Sequence, residues 1–201
     1  MSTKPGQVHR SAQLGALVLG VLYFFLAMFW IPPIIQAPLI YDSWGNFFEQ
    51  FSIFSAAMLV RASLASSEPP WVARAARIGQ ISFGICVVSF MLEQAFYLHA
   101  TADLVPKWVP GGQMFWAIMT TIAFAFAAIA ILSGRQALPA SRLLTAMLLL
   151  FEFLVWVPAL LADPRSHFNW SENNETLATA AASWILAHCL ASNNRLTAHR
   201  I

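Results

Sequence analysis

The sequence predicts an all-α, polytopic transmembrane helical bundle of six spans, on three observations. Of 201 residues, 59% are hydrophobic and 10% charged, and the mean hydropathy is +0.64. A soluble domain averages about 25% charged residues. The apolar residues gather in six blocks, each long enough for roughly 20 residues of helix across a hydrocarbon layer about 30 Å thick. The basic residues, finally, cluster on alternate connectors. This composition excludes an ordinary cytosolic enzyme. It also excludes a disordered chain, which needs high charge and few aromatics, because 8 Trp and 16 Phe are present. Nucleic-acid binding is not expected, since eleven Lys and Arg against nine acids leave a net charge of only +2.

The spans are read as 14–36, 47–64, 78–98, 113–133, 143–162 and 176–192. The first follows a basic start, but its apolar run far exceeds the about 7–15 residues of a signal-peptide core, and no small-x-small site ends it; it is expected to be retained. Glu49 and Arg61 bound the second. Small Ala and Ser fill the sixth, which predicts packing against neighbouring helices rather than lipid tails. The connectors carry helix breakers, as in Ser66-Ser67-Glu68-Pro69-Pro70, Val109-Pro110-Gly111-Gly112 and Asp163-Pro164-Arg165-Ser166. Gly111-Gly112 reads as a turn before a helix.

Charge sets the direction. Lys4 and Arg10 precede the first span; Arg61, Arg74 and Arg77 follow the second; Arg135 and Arg142 follow the fourth; Arg195 and Arg200 follow the sixth. Nine of eleven basic residues therefore share one side, leaving Lys107 and Arg165 opposite, while Asp42, Asp103, Asp163, Glu172 and Glu175 all lie on that opposite side. The expectation is a bacterial cytoplasmic (inner) membrane protein with both termini cytoplasmic, which requires an even number of spans.

A shift of 126 residues aligns the first hairpin with the third: Phe25, Trp30, Pro32, Pro38, Trp44 and Glu49 meet Phe151, Trp156, Pro158, Pro164, Trp170 and Glu175. The shared pattern is W-x-P-x5-P-x5-W-x4-E. Trp anchors suit the headgroup level, Pro ends the outgoing helix, and Glu meets the positive start of the returning one. Two hairpins converging on one interfacial chemistry would give the same pattern; duplication accounts for it better.

From about residue 77 to 192 the chain resembles the DoxX-like family of small four-span membrane proteins. The resemblance rests on Leu104-Val105-Pro106-Lys107-Trp108-Val109-Pro110-Gly111, Phe115-Trp116, Leu149-Leu150-Phe151, Val157-Pro158-Ala159, Asp163-Pro164-Arg165 and Phe168-Asn169-Trp170. It implies two units: 1–70, an N-terminal transmembrane hairpin repeating the last one, and 71–201, a DoxX-like four-helix membrane domain. It also implies a place beside quinone-linked sulfur oxidation or membrane redox homeostasis. Relatives carry a Gly-x-Glu-His-Phe-like run before the tip. Here Met91-Leu92-Glu93-Gln94-Ala95 keeps the Glu and puts Gln94 at the His, so a role needing that imidazole has no residue to perform it.

An ionisable group within a span is costly, about 2.5–3.5 kcal/mol at the centre, and faces the bundle interior. Glu93 and Glu152 qualify, either as neutral acids hydrogen-bonded across helices or as proton-handling, ligand-gripping groups. Gln94 and His99 are candidate partners. Glu93, Tyr97 and Ala100 share a helical face, with His99 displaced from it and near Asp103 and His167. No paired spacing such as H-x3-H or H-E-x2-H occurs, so no metal site is predicted. His188 lies at the other end of its span, which argues against joint haem ligation with His99. Cys86 and Cys189 form no C-x2-C pair and read as buried small apolar residues. Phe83, Phe90, Phe96, Phe115, Trp116, Phe124 and Phe126 fill spans, or line a pocket where Glu93, Trp108 and Trp116 converge with Glu152.

Two functions follow. One is an accessory or structural component of a membrane redox system, in contact with the bilayer and with redox protein partners and without a tightly bound cofactor. The other is a protein or enzyme binding a quinone- or isoprenoid-like lipophile through Glu93 and Glu152. A transporter is disfavoured, because the repeat is parallel and no span has a central Gly-Pro break.

Overall fold

The computed structural model describes residues 5–65 and 70–198. Every regular element among them is helical. α1 (Pro5–Met28) runs into the short α2 (Ile31–Gln36), followed by α3 (Asp42–Ser63), α4 (Pro70–Phe96) and the short α5 (Leu98–Leu104). Then come α6 (Gln113–Ser133), α7 (Ala137–Phe151), α8 (Val157–Ala162) and α9 (His167–Ala198), with a turn of π-helix, Glu152–Trp156, joining α7 to α8.

Four stretches are long and apolar enough to cross a membrane: Arg10–Gln36, Trp71–Phe96, Gln113–Ser133 and Ala137–Ala162. The other two long helices, α3 and α9, cover the second and sixth apolar segments but are more polar, and packing explains why. α3 touches α1, α4 and α9, and α9 touches α3 and α7. Their polar residues therefore meet protein. Ser52, Ser55, Thr179 and Ser183 are all buried, and their small size lets helices approach closely. Ser52 Oγ and Thr179 Oγ1 lie 3.4 Å apart between α3 and α9, and the Ser183 hydroxyl donates to the Ser141 carbonyl at 2.9 Å between α9 and α7.

α3, α4, α6, α7 and α9 close a ring. Inside it lies the core, with Leu59, Phe83, Val87, Phe124, Ile131 and Leu186 at its centre. α1 stands outside the ring against α3, approaching closely at Gly20, where a Cβ would come within 3.3 Å of Ala57 Cβ. The turns before α3, α6 and α9 share one end of the bundle, called here the tip end.

Several helices outrun their apolar segments. Arg74 and Arg77, read as connector residues, stand inside α4; Arg142 stands inside α7; Glu172 and Glu175 stand inside α9, a helix of 32 residues. A charge ends an apolar block but not a helix, because Arg is a good helix former and its long side chain reaches water. The face predicted to hold Glu93, Tyr97 and Ala100 is broken in turn, since α4 stops at Phe96 and α5 starts anew. Lys4, Arg200 and the 66–69 connector lie outside the described residues.

The repeat extends to the backbone. Trp30 is the N-cap of α2, with Pro32 in its first turn; at the same shift Trp156 is the N-cap of α8, with Pro158 in its first turn. Proline lacks an N–H and clashes with the turn before it, so each helix must give way upstream. The first does so in a tight turn, the Trp30 N–H donating to the Ala27 carbonyl at 3.0 Å. The second widens instead, the Val157 N–H reaching back to the Glu152 carbonyl. Both short helices then end in matching backbone, with φ −139° at Ala37 and −138° at Asp163.

Candidate functional site

One clamp recurs in every tip. The indole N–H of Trp44 donates to the Pro38 carbonyl at 3.1 Å, that of Trp116 to Pro110 at 2.7 Å, and that of Trp170 to Pro164 at 3.0 Å. The middle tip shares only P-x5-W with the other two, which is why a self-comparison at one fixed shift passes over it. Its turn also needs glycine: Gly111 and Gly112 have φ of 101° and 86°, a region open to residues without a Cβ.

The clamps fix where α3, α6 and α9 begin, and thereby a group of acids behind them. Gly45 on α3 leaves the space that the Glu93 carboxyl of α4 fills; a Cβ there would overlap it. Glu49 on α3 faces Glu175 on α9, and the other charges acting on it are Glu93 and Glu172. Glu175 Oε1 accepts from the Gln50 amide and the Ser171 hydroxyl, each at 3.2 Å. Asp42 adds its charge near Glu93 and Glu172. Three helices thus bring together Glu49, Glu93, Glu172 and Glu175, and the charges acting on the first three are other carboxylates. Glu172, outside the 176–192 segment, is pushed up to about 7, by burial first and then by Glu175 and Asp42. Beside the group, the Tyr41 hydroxyl donates to Ser89 Oγ at 3.0 Å. Burial raises that phenol above its ordinary 10.0, with the Ser89 bond opposing and the Glu93 charge reinforcing the shift.

The residues predicted to converge do not. Glu93 joins the acids just described, while Glu152 stands apart on the π turn, 3% exposed, with its Oε2 unpaired. Gln94 turns away from Glu93: its amide oxygen lies 3.2 and 3.3 Å from the Thr120 and Thr121 hydroxyls, fastening α4 to α6. Trp108 is 73% exposed, and Trp116 is spent on its clamp. His99 is exposed on α5, which packs on α4 and α6. His167 lines a groove beside α1, so the two imidazoles belong to different places. Among the described residues no group of three or more His, Cys, Asp or Glu is arranged to hold a metal. The aromatic set also divides: Phe83, Phe90 and Phe124 are buried in the core, whereas Phe96, Phe115, Trp116 and Phe126 face outward. Cys86 is buried, Cys189 half-buried, and both are free.

Sequence reasoning missed Glu49, Glu172 and Glu175 as site residues. Each sits near a segment boundary and reads as interfacial; the signal available was Glu49 pairing with Glu175 in the repeat.

The groove lies between α1 and α9 along α3, with a volume of about 260 Å³. Tyr23, Gln50, His167, Trp170, Asn174 and Glu175 supply its polar and aromatic lining, and Ile53 and Ala178 line it as well. No family model, curated protein or solved structure matches the chain.

Proposed function

We propose that this chain crosses a bacterial inner membrane six times, with both termini cytoplasmic, and binds a quinone-like, proton-exchanging lipophile at the carboxyls of its tip end. The observation that carries this reading is the Glu93 carboxyl seated against Gly45, with Glu49 and Glu172 near it and no basic counter-charge among the groups acting on them. Acids so placed exchange protons or meet a positively charged or hydrogen-bonding group. α3 and α9 complete the six crossings, because protein rather than lipid surrounds their polar faces. Purification in mild detergent, followed by absorption spectroscopy and mass spectrometry of the lipid extract, tests the reading. A stoichiometric quinone-like compound, lost in Glu93→Gln, is expected. Its absence from the wild-type protein refutes the reading.

A second reading follows from the resemblance of residues 77–192 to the DoxX-like family: an accessory component of a membrane redox system. One observation favours it. Among the described residues α1 packs chiefly on α3 and leaves a broad apolar face, with Val18, Leu22 and Phe25 exposed. A reporter fused to the C-terminus should be cytoplasmic under either reading.

A further inference from the structure

We propose that the groove between α1 and α9 binds an outer-leaflet lipid whose headgroup carries an ammonium nitrogen. This goes beyond the proton-exchanging site, which lies where α4 meets α3.

The repeat explains why a groove exists. Under the 126-residue shift, α1 and α3 correspond to α7 and α9. α4 seats on α3 at Tyr41, which bonds Ser89, and at Gly45, which accepts the Glu93 carboxyl. The equivalent positions on α9 are His167 and Ser171, and both line the groove. The groove is therefore the counterpart of the slot that α4 fills, left open because the chain has only one α4–α6 hairpin. It lies between two helices, so it opens sideways, towards lipid in a bilayer.

Size and chemistry choose the occupant. Its lining on α9 runs from His167 to Ala178, about three turns or 16 Å. A helix laid there, about 10 Å across, would displace about 1,300 Å³, about twice the roughly 580 Å³ of empty space in the groove. A headgroup with the start of an acyl chain suits that space better. At the tip end the groove presents acceptors and ring faces: the Glu175 carboxylate, the Gln50 and Asn174 amides, Tyr23, and Trp170, whose ring is held by the Pro164 bond. Among the described residues no Lys or Arg lines it. An ammonium group meets a carboxylate and aromatic faces favourably. Deeper along the helices, Ile53 and Ala178 present apolar surface suited to the chain.

The test uses the full-length protein in neutral detergent. A short-chain diacyl phosphoethanolamine is titrated against the same tails carrying a phosphoglycerol head and against free ethanolamine. Binding is read as the shift in unfolding midpoint and as retained lipid in native mass spectrometry. The phosphoethanolamine lipid should bind at least about tenfold more tightly than either competitor, the scale of one charge-assisted contact. Glu175→Gln and the groove-filling Ala178→Phe should each weaken it about tenfold. Equal binding of the two lipids, equal competition by free ethanolamine, or full binding in Ala178→Phe overturns the proposal. Failure here leaves the Glu93-dependent quinone assay unaffected, so the two readings fail separately.

Discussion

Gly45→Ala tests the close approach that shapes the acidic group. A methyl at residue 45 would lie 2.5 Å from Glu93 Cδ and 2.5 Å from Oε2. Real Cβ contacts are longer than this, so something must move. What moves is the end of a flexible side chain, and α3 and α4 can keep their spacing. Turning the Glu93 carboxyl off its favoured rotamer costs about 0.5–1.5 kcal/mol. Alanine in place of glycine within a helix returns about 1 kcal/mol. In the wild-type background the two nearly cancel, and Gly45→Ala should change stability by less than about 0.5 kcal/mol. With Glu93→Ala already present the clash is gone, and the same substitution should stabilise by about 1 kcal/mol. The expected coupling between the sites is therefore about 1 kcal/mol. Gly79→Ala serves as the contrast: its methyl would meet Leu59 Cγ at 2.9 Å and the Ser55 backbone carbonyl at 3.2 Å. Backbone cannot swing aside, so that change should cost about 1–3 kcal/mol, whatever stands at residue 93. The assay is unfolding in mixed micelles of increasing SDS content, followed by circular dichroism. A Gly45–Glu93 coupling below about 0.3 kcal/mol, within ordinary additivity, refutes the geometry.

Three further outcomes use the same assay. Glu152→Leu should stabilise by about 1–3 kcal/mol, because it removes a buried carboxyl oxygen that has no partner; a loss of stability would mean that the acid is satisfied in the folded protein. Trp→Phe at residue 44, 116 or 170 should cost about 0.5–1.5 kcal/mol each, with the three adding, because each removes one indole hydrogen bond at a separate tip; a tip that tolerates the change has no working clamp. Glu172 is lifted from its ordinary 4.5 to about 7, so across that window the folded chain holds more protons than the unfolded chain. Stability contributed by Glu172 should therefore fall as pH rises from 4.5 through 7. Glu172→Gln should flatten that fall, and an unchanged pH profile in the variant counts against the assignment.

The sequence carried the long helices and little of their facing. Apolar blocks and breakers located six helical segments, but the prolines of the W-x-P pattern, read as ending the outgoing helices, stand in the first turns of two further short helices. Helix ends were less legible, because Arg74, Arg77 and Arg142 stop hydropathy without stopping hydrogen bonding. The polarity of α3 and α9 became intelligible only when both were seen to pack among other helices. The site was read from mid-span acids, which joined Glu93 to Glu152, whereas the structure sets Glu93 beside Glu172 and Glu175 and leaves Glu152 on the π turn. Which face of α4 meets α3 depends on Gly45, and one glycine among several apolar helices gives no warning that a carboxyl will fill its place. Gln94 shows the converse: two threonines on the next helix account for it, and their distance in sequence hid them.

The meeting of Glu49 with Glu175 has a geometric cause in the repeat. Two hairpins that enter the bundle in the same direction place their second helices, α3 and α9, parallel and adjacent, both starting at the tip end. Equivalent positions then stand at equal height, and those nearest the line between the helices face each other. Glu49 and Glu175 are such a pair, 126 residues apart. Like-charged neighbours are unfavourable unless hydrogens or donors answer them; here the Gln50 amide and the Ser171 hydroxyl donate to Glu175. The symmetry stops at α4. On one side of the pair that helix adds Glu93 through the gap at Gly45; on the other, Ser171 and His167 line an open groove. One carboxyl pair is thereby given two different neighbourhoods. Glu93→Gln and Glu175→Gln should therefore disturb different ligands although their carboxyls belong to one group.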